Sequence, residues 1–198
     1  MIEGIFGKPG KGKTYEAVRR VINAADSGRQ CYSVTPIDHP NVMLIEYDDI
    51  TDPYLPPGLI LCDEVHLVLG ADAGRKLNKN WYEKLSQTRK DGHDLLYTSQ
   101  HESKVLKQLR DNTNYGWICM KYDFGAFVLF SAKAYEMHNL RRGKPEDRYV
   151  HRASKRIYKA FDTNYAIAAN LAVETEKVAA NVVRPSYSRQ KTIQRETM

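Results

Sequence analysis

The chain has 198 residues, a formal net charge of +6, and 42% hydrophobic and 27% charged residues, proportions that support one packed core and exclude wholesale disorder. Cys31, Cys62 and Cys119 are odd in number, far apart and without a C-x-x-C pair, so neither a disulfide framework nor a zinc site is expected. No apolar run approaches the roughly 18 residues of a membrane helix, and Glu3 and nearby glycines interrupt any leader-like stretch, so a soluble protein of a reducing cytosol is expected.

In chain order, the apolar run Ile2 to Phe6 predicts a short buried strand. Thr14 to Ala25 predicts a helix with Val18, Val21, Ile22 and Ala25 on one face, stopped by Ser27-Gly28. "QCYSVT", closed by Pro36, and "VMLIEY", Val42 to Tyr47, are strand candidates. After the proline-rich "DPYLPPG", the run "LILCDE" has the continuous apolar character of a parallel strand buried on both faces. Asn80 is placed to cap a helix carrying Trp81, Leu85 and Thr88, ended by Lys90-Asp91-Gly92. "DLLYTSQ", Asp94 to Gln100, is the next strand, and Ser103 is placed to cap a helix with Val105, Leu106 and Leu109. "GWICMKY" and "AFVLFSA" form a late strand pair with a turn at Asp123 to Gly125. A last helix is expected from about Tyr165 to Val183, followed by a polar tail over 184–198. Strands alternating with helices predict an α/β fold with a mainly parallel central sheet flanked by helices.

Between the first strand and first helix lies "GKPGKGKT", which fits G-x-x-x-x-G-K-[ST]. Such a loop turns backbone N–H groups inward onto phosphate oxygens, a conformation that Gly7, Gly10 and Gly12 supply at little cost. Lys8, Pro9 and Lys11 complete the loop, and the following helix, with Lys13, Thr14 and Tyr15 in its first turn, adds its N-terminal dipole. Lys13 is expected to reach the β- and γ-phosphates of ATP, and the Thr14 hydroxyl to ligate Mg²⁺. Asp63, at the end of "LILCDE", is the candidate second partner for Mg²⁺, and Glu64 the candidate base for an attacking water. That carboxylate pair favours hydrolysis over transfer to a bound acceptor.

Gln100, closing "DLLYTSQ", is a candidate γ-phosphate sensor or a cap for the next helix. Arg89 is a candidate arginine finger acting on a neighbouring subunit or a cation complementing a helix C-terminus, and Arg110 presents the same two alternatives. The six histidines show no paired metal-ligand spacing. Residues 139–160 hold eight Lys and Arg against Glu146 and Asp147, a local excess of +6, and residues 184–198 add +3. This distribution is either the footprint of a polyanion such as DNA or a solvated loop and tail. Tyr149, Tyr158 and Tyr165 are the aromatics in or near the basic stretch.

Taken in order, the phosphate loop, "LILCDE", "QTRKDGHDLLYTSQ" and "KQLRDNTNY" resemble the zonular occludens toxin family of filamentous-phage assembly ATPases, related to the FtsK–HerA group of DNA-translocating motors. The distinctive part is Arg89-Lys90-Asp91-Gly92-His93-Asp94, leading into a strand that ends Thr98-Ser99-Gln100, then Leu109-Arg110. "RIYKAFDTNY" is similar to the closing segment of that family's ATPase domain. The resemblance spans about Ile2 to Tyr165 and implies a RecA-like (ASCE) P-loop NTPase, with Gln100 as sensor and Arg89 as the favoured finger. It implies Mg²⁺-dependent ATP hydrolysis driving DNA packaging or filamentous-phage assembly, by a homo-oligomer forming a ring. Implied partners are viral DNA, for which the charge of residues 139–160 makes that stretch the candidate surface, and a capsid or membrane assembly component. Many members continue into a membrane span; if the chain is complete, its lack of one favours a packaging or morphogenesis ATPase, expected in the host cytoplasm, soluble or peripherally associated with a phage assembly complex or virion. The expected organisation is one ATPase domain over 1–183 with a basic tail over 184–198. The competing readings are a nucleotide or small-molecule kinase and an ATP-binding assembly factor that does not hydrolyse.

Overall fold

A computed structural model describes residues 1–72 and 79–161. They belong to a compact unit running from Met1 to Tyr165. The helix expected over 165–183 and the tail over 184–198 lie outside the described residues.

The unit is built on an eight-stranded sheet. Its strands are β1 (Ile2–Phe6), β2 (Cys31–Ser33), β3 (Val42–Leu44), β4 (Leu59–Cys62), β5 (Asp94–Ser99), β6 (Tyr115–Asp123), β7 (Val128–Glu136) and β8 (Asp147–Arg152). Their spatial order is β3-β2-β4-β5-β1-β6-β7-β8. From β3 to β6 every pairing is parallel, and β7 and β8 are added antiparallel. The helices are α1 (Lys13–Asp26), α2 (Lys79–Gln87), α3 (Lys107–Asn112) and α4 (Lys155–Lys159).

The central strands are buried on both sides, which is why β4 is apolar at every position. On one face Val18, Val21, Ile22 and Ala25 of α1 meet Ile5, Leu61 and Leu96. On the other, Trp81, Leu85 and Leu109 from α2 and α3 meet Ile60, Leu95 and Tyr97. The three thiols are buried and free, and among the described residues no helix is long and apolar enough to cross a membrane.

Several local expectations need correction. "VMLIEY" is a strand only to Leu44, because β3 is an edge with a single neighbour and leaves Met43 and Leu44 exposed. Asn80 lies inside α2 rather than capping it. Ser103 sits in a 3-10 turn with its N–H bonded to His101 Nδ1, so Val105 and Leu106 precede α3 instead of lying within it. The basic stretch 139–160 is not a simple loop: it supplies edge strand β8 and helix α4.

Candidate nucleotide-binding site

Parallel strands bring their C-terminal ends to one side of a sheet, and β1, β4 and β5 there deliver Gly7, Asp63 and Gln100. The strand β5 lies between β4 and β1, so its end opens between the glycine loop and the Asp63-Glu64 pair. The sequence left that strand order open.

Lys8, Pro9, Gly10 and Lys11 form the exposed crest of the loop, while Gly7 is buried at its base. Gly10 and Gly12 have φ of 72° and 87°, in the left-handed region that favours glycine. Gly12 has a second constraint, since a Cβ there would collide with the Phe130 ring of β7. The first backbone bond of α1 runs from Glu16 N–H to the Gly12 carbonyl at 2.9 Å. The N–H groups of Lys13, Thr14 and Tyr15 therefore have no carbonyl one turn back, and no side chain caps this end. A helix start with orphan donors and a positive dipole end suits phosphate oxygens.

Tyr15 contributes to that turn through its backbone only. Its ring is buried, stacked on Phe130 at 4.2 Å between centroids, and its hydroxyl accepts the Ser154 N–H at 2.7 Å. The side chain anchors α1 to the β7–α4 region and does not face the loop.

Below the loop, the Thr14 hydroxyl donates toward both Asp63 carboxylate oxygens, at 3.2 and 3.1 Å. Thr98 of β5 donates to Asp63 Oδ1 at 2.5 Å and accepts the Glu64 N–H at 2.9 Å. Tyr47 donates to the Asp63 carbonyl at 2.8 Å. Glu64 is a non-glycine residue at φ 49° and ψ 44°, a conformation that costs on the order of 1–3 kcal/mol and persists where neighbours hold it. Its carboxylate lies 3.9 Å from Lys13 Nζ and 3.3 Å from His66 Nδ1. Burial pushes the Asp63 carboxyl upward despite hydrogen bonds from Thr98 and Thr14. Burial, with Lys104 and Lys13 nearby, holds His66 below the usual imidazole range.

Mg²⁺ takes oxygen ligands and is commonly held by one or two carboxylates together with substrate phosphates. The Thr14 hydroxyl and Asp63 carboxylate, set against the open amides at the start of α1, fit that demand. Among the described residues no cluster of three or more His, Cys, Asp or Glu could hold a metal by protein ligands alone.

The remaining candidates are less closely gathered. Gln100 is at the end of β5, but its amide oxygen accepts from Lys104 Nζ at 2.7 Å. Arg89 is exposed in the turn before β5, at the opposite end of that strand from Gln100. Arg110, on α3, donates to the Glu102 carbonyl at 3.5 Å. Sequence reasoning missed Thr98 and His66 as supports for the carboxylates. Thr98 stood inside a quoted motif, but its role needs the β4–β5 register that pairs Cys62 with Tyr97 and so sets Asp63 beside Thr98. Replacing Thr98 by Val should leave a buried carboxylate and the Glu64 N–H each short of a partner, costing about 1–3 kcal/mol. A urea midpoint that stays at the wild-type value would contradict this role.

This glycine loop, with its strand order and paired carboxylates, belongs to a P-loop NTPase fold, and solved structures agree. The N-terminal domain of zonular occludens toxin from Neisseria meningitidis superposes with a TM-score of 0.59 at 17% identity, covering 81% of this chain and 98% of that one. Flagellar accessory protein FlaH from Methanocaldococcus jannaschii gives 0.56 at 12% identity, over 77% and 85%. The genome packaging NTPase B204 from Sulfolobus turreted icosahedral virus 2, in complex with ATPγS, gives 0.52 at 9% identity, over 76% and 96%. No family model matches the chain, and no curated protein matches its sequence.

Proposed function

We propose that the chain is a Mg²⁺-dependent ATPase whose hydrolysis drives handling of viral DNA, in genome packaging or in phage assembly. The observation that carries this reading is the hydrogen-bonded row Thr14–Asp63–Thr98–Glu64 beneath the uncapped start of α1. Loop amides and Lys13 hold the phosphates, and Thr14 and Asp63 hold the cation. Bound there, Mg²⁺ would neutralise charge on the β- and γ-phosphates.

Glu64 accepts the proton of the attacking water. Its carboxylate is oriented by His66, and its backbone by Thr98. Gln100 senses the γ-phosphate once its amide leaves Lys104. Arg89 can serve as a finger only across a subunit contact that sets its turn against a neighbour's phosphate loop; Arg110 is the other candidate. Both roles require a homo-oligomer, for which a ring is the natural closed form. The neighbour named as a genome packaging NTPase supports a viral setting for this reading, and DNA is the partner that suits the basic stretch at 139–160.

ATP turnover measured with and without single- and double-stranded DNA, alongside oligomer mass, tests this function. Specific activity should rise with protein concentration as oligomers form, and DNA should stimulate it, less so as salt increases. Activity flat from monomer to oligomer would contradict the finger, and indifference to both DNA forms would contradict the DNA role.

A further inference from the structure

The +6 of residues 139–160 is partly spent inside the molecule. Arg156 makes a two-pronged pair with Asp26 at 2.7 and 2.8 Å, and Arg141 lies 3.3 Å from Glu102. Tyr149 and His151 of β8 turn toward α1 and bond to Glu16. Strand alternation then forces Arg148, Val150 and Arg152 onto the opposite face of β8.

That face has continuous neighbours. The antiparallel register sets Arg148, Val150 and Arg152 beside Lys133, Ser131 and Leu129 of β7, which in turn lie beside Ile118, Met120 and Tyr122 of β6. Val150 is 61% exposed, Tyr122 43% and Met120 42%. Lys133, Arg148 and Arg152 are all exposed, and among the described residues none has a carboxylate within salt-bridge distance. The Arg152 guanidinium also lies over the Phe127 ring, 5.4 Å from its centroid.

Three cations, no carboxylate and an exposed aromatic on one open sheet face match a polyanion that also offers flat apolar surfaces. We propose that the open face of β6, β7 and β8 binds single-stranded DNA, with Lys133, Arg148 and Arg152 on phosphates and Tyr122 stacking on a base. Double-stranded DNA would offer this surface its phosphates but keep its bases stacked away from Tyr122 and Val150; a single strand offers both. The assignment rests on the DNA partnership proposed above and places it on a surface. It also supplies a physical connection to the nucleotide. Phe130, between Leu129 and Ser131 on β7, is the ring that packs on Gly12 from the reverse side of the same strand.

The test is fluorescence anisotropy of a labelled oligodeoxythymidylate with wild type, Tyr122→Ala, the double variant Arg148→Glu/Arg152→Glu and the conservative Arg148→Lys/Arg152→Lys. Melting temperature and DNA-free ATPase serve as controls, because none of these residues belongs to the nucleotide site. Charge reversal should weaken binding at least tenfold and flatten its salt dependence, the lysine pair should retain it, and Tyr122→Ala should weaken it about 5- to 150-fold. If wild type binds but the charge reversal stays within twofold while Lys155→Glu/Lys159→Glu loses binding, DNA runs over α4 and the assignment is wrong. Duplex binding equal to single-strand binding, with Tyr122→Ala silent, also overturns it, as does loss of oligomer mass in the charge reversal, which would make this face a contact between copies. Absence of any wild-type binding instead contradicts the DNA partnership itself.

Discussion

Glu64→Gln should lower kcat for ATP by about 10²–10⁴-fold, the usual contribution of a positioned general base, while leaving ATP affinity close to wild type. The amide keeps the shape of the side chain but cannot take a proton from water. The groups proposed to hold the phosphates, Lys13 and the amides at the start of α1, and those proposed to hold the cation, Thr14 and Asp63, are all unaltered. The variant should therefore trap ATP, readable as bound unhydrolysed nucleotide after gel filtration. A Gln variant within a few-fold of wild-type kcat would remove Glu64 from the chemistry and return attention to His66, 3.3 Å away.

The largest expected loss of stability comes from a residue outside the nucleotide chemistry. Glu16 of α1 is 1% exposed and lies among Arg19, Arg20, Tyr149 and His151. Arg20 donates to it at 2.7 Å, Arg19 at 2.8 and 3.0 Å, and His151 approaches at 2.9 Å. Arg20 in turn bonds Glu3 and Tyr149 and stacks over Trp117 at 3.9 Å. Glu16→Ala would leave largely buried guanidinium groups without their carboxylate, at a cost of about 3–5 kcal/mol, comparable to other one-sided deletions of buried ion pairs. Because the cluster joins the helix after the phosphate loop to β8, the variant should also loosen ATP binding. A urea midpoint near wild type would contradict the role assigned to it.

The same carboxylate gives a pH signature. Burial alone would raise its pKa, but hydrogen bonds from His151 and Arg19 and the charge of Arg20 outweigh burial and hold it well below its unfolded value of 4.5. A depressed folded value means the contribution is complete above the unfolded value and is lost progressively as pH falls toward the folded one. Wild type should lose stability below about pH 4.5, and Glu16→Gln should show a shallower loss over that range. Parallel slopes would contradict the assignment.

What the sequence made legible was local chemistry. The glycine loop needs only its own spacing and the strand and helix beside it, and Asp63 and Glu64 need only to follow an apolar run. The supports depend on register. Thr98 reaches Asp63 because β5 lies between β4 and β1, and no single segment states that order. Nothing local singles out Glu16, since Tyr149 and His151, which close over it, come from well over a hundred residues onward. The basic stretch showed its charge but not its division, because alternation along β8 sends two side chains to Glu16 and three to the open face. Tyr15 sits in sequence beside the phosphate loop, but Phe130, which holds its ring in the core, comes from a strand far along the chain.

The most direct test of the account is release of inorganic phosphate from ATP by the purified chain with Mg²⁺, no phosphoryl acceptor, and protein concentrated enough to form oligomers. Phosphate and ADP should appear in equal amounts, stop when Mg²⁺ is chelated, and be abolished by Lys13→Ala. ATP that binds but stays intact under these conditions, or ADP that forms only when an acceptor is added, would contradict a hydrolase at this site.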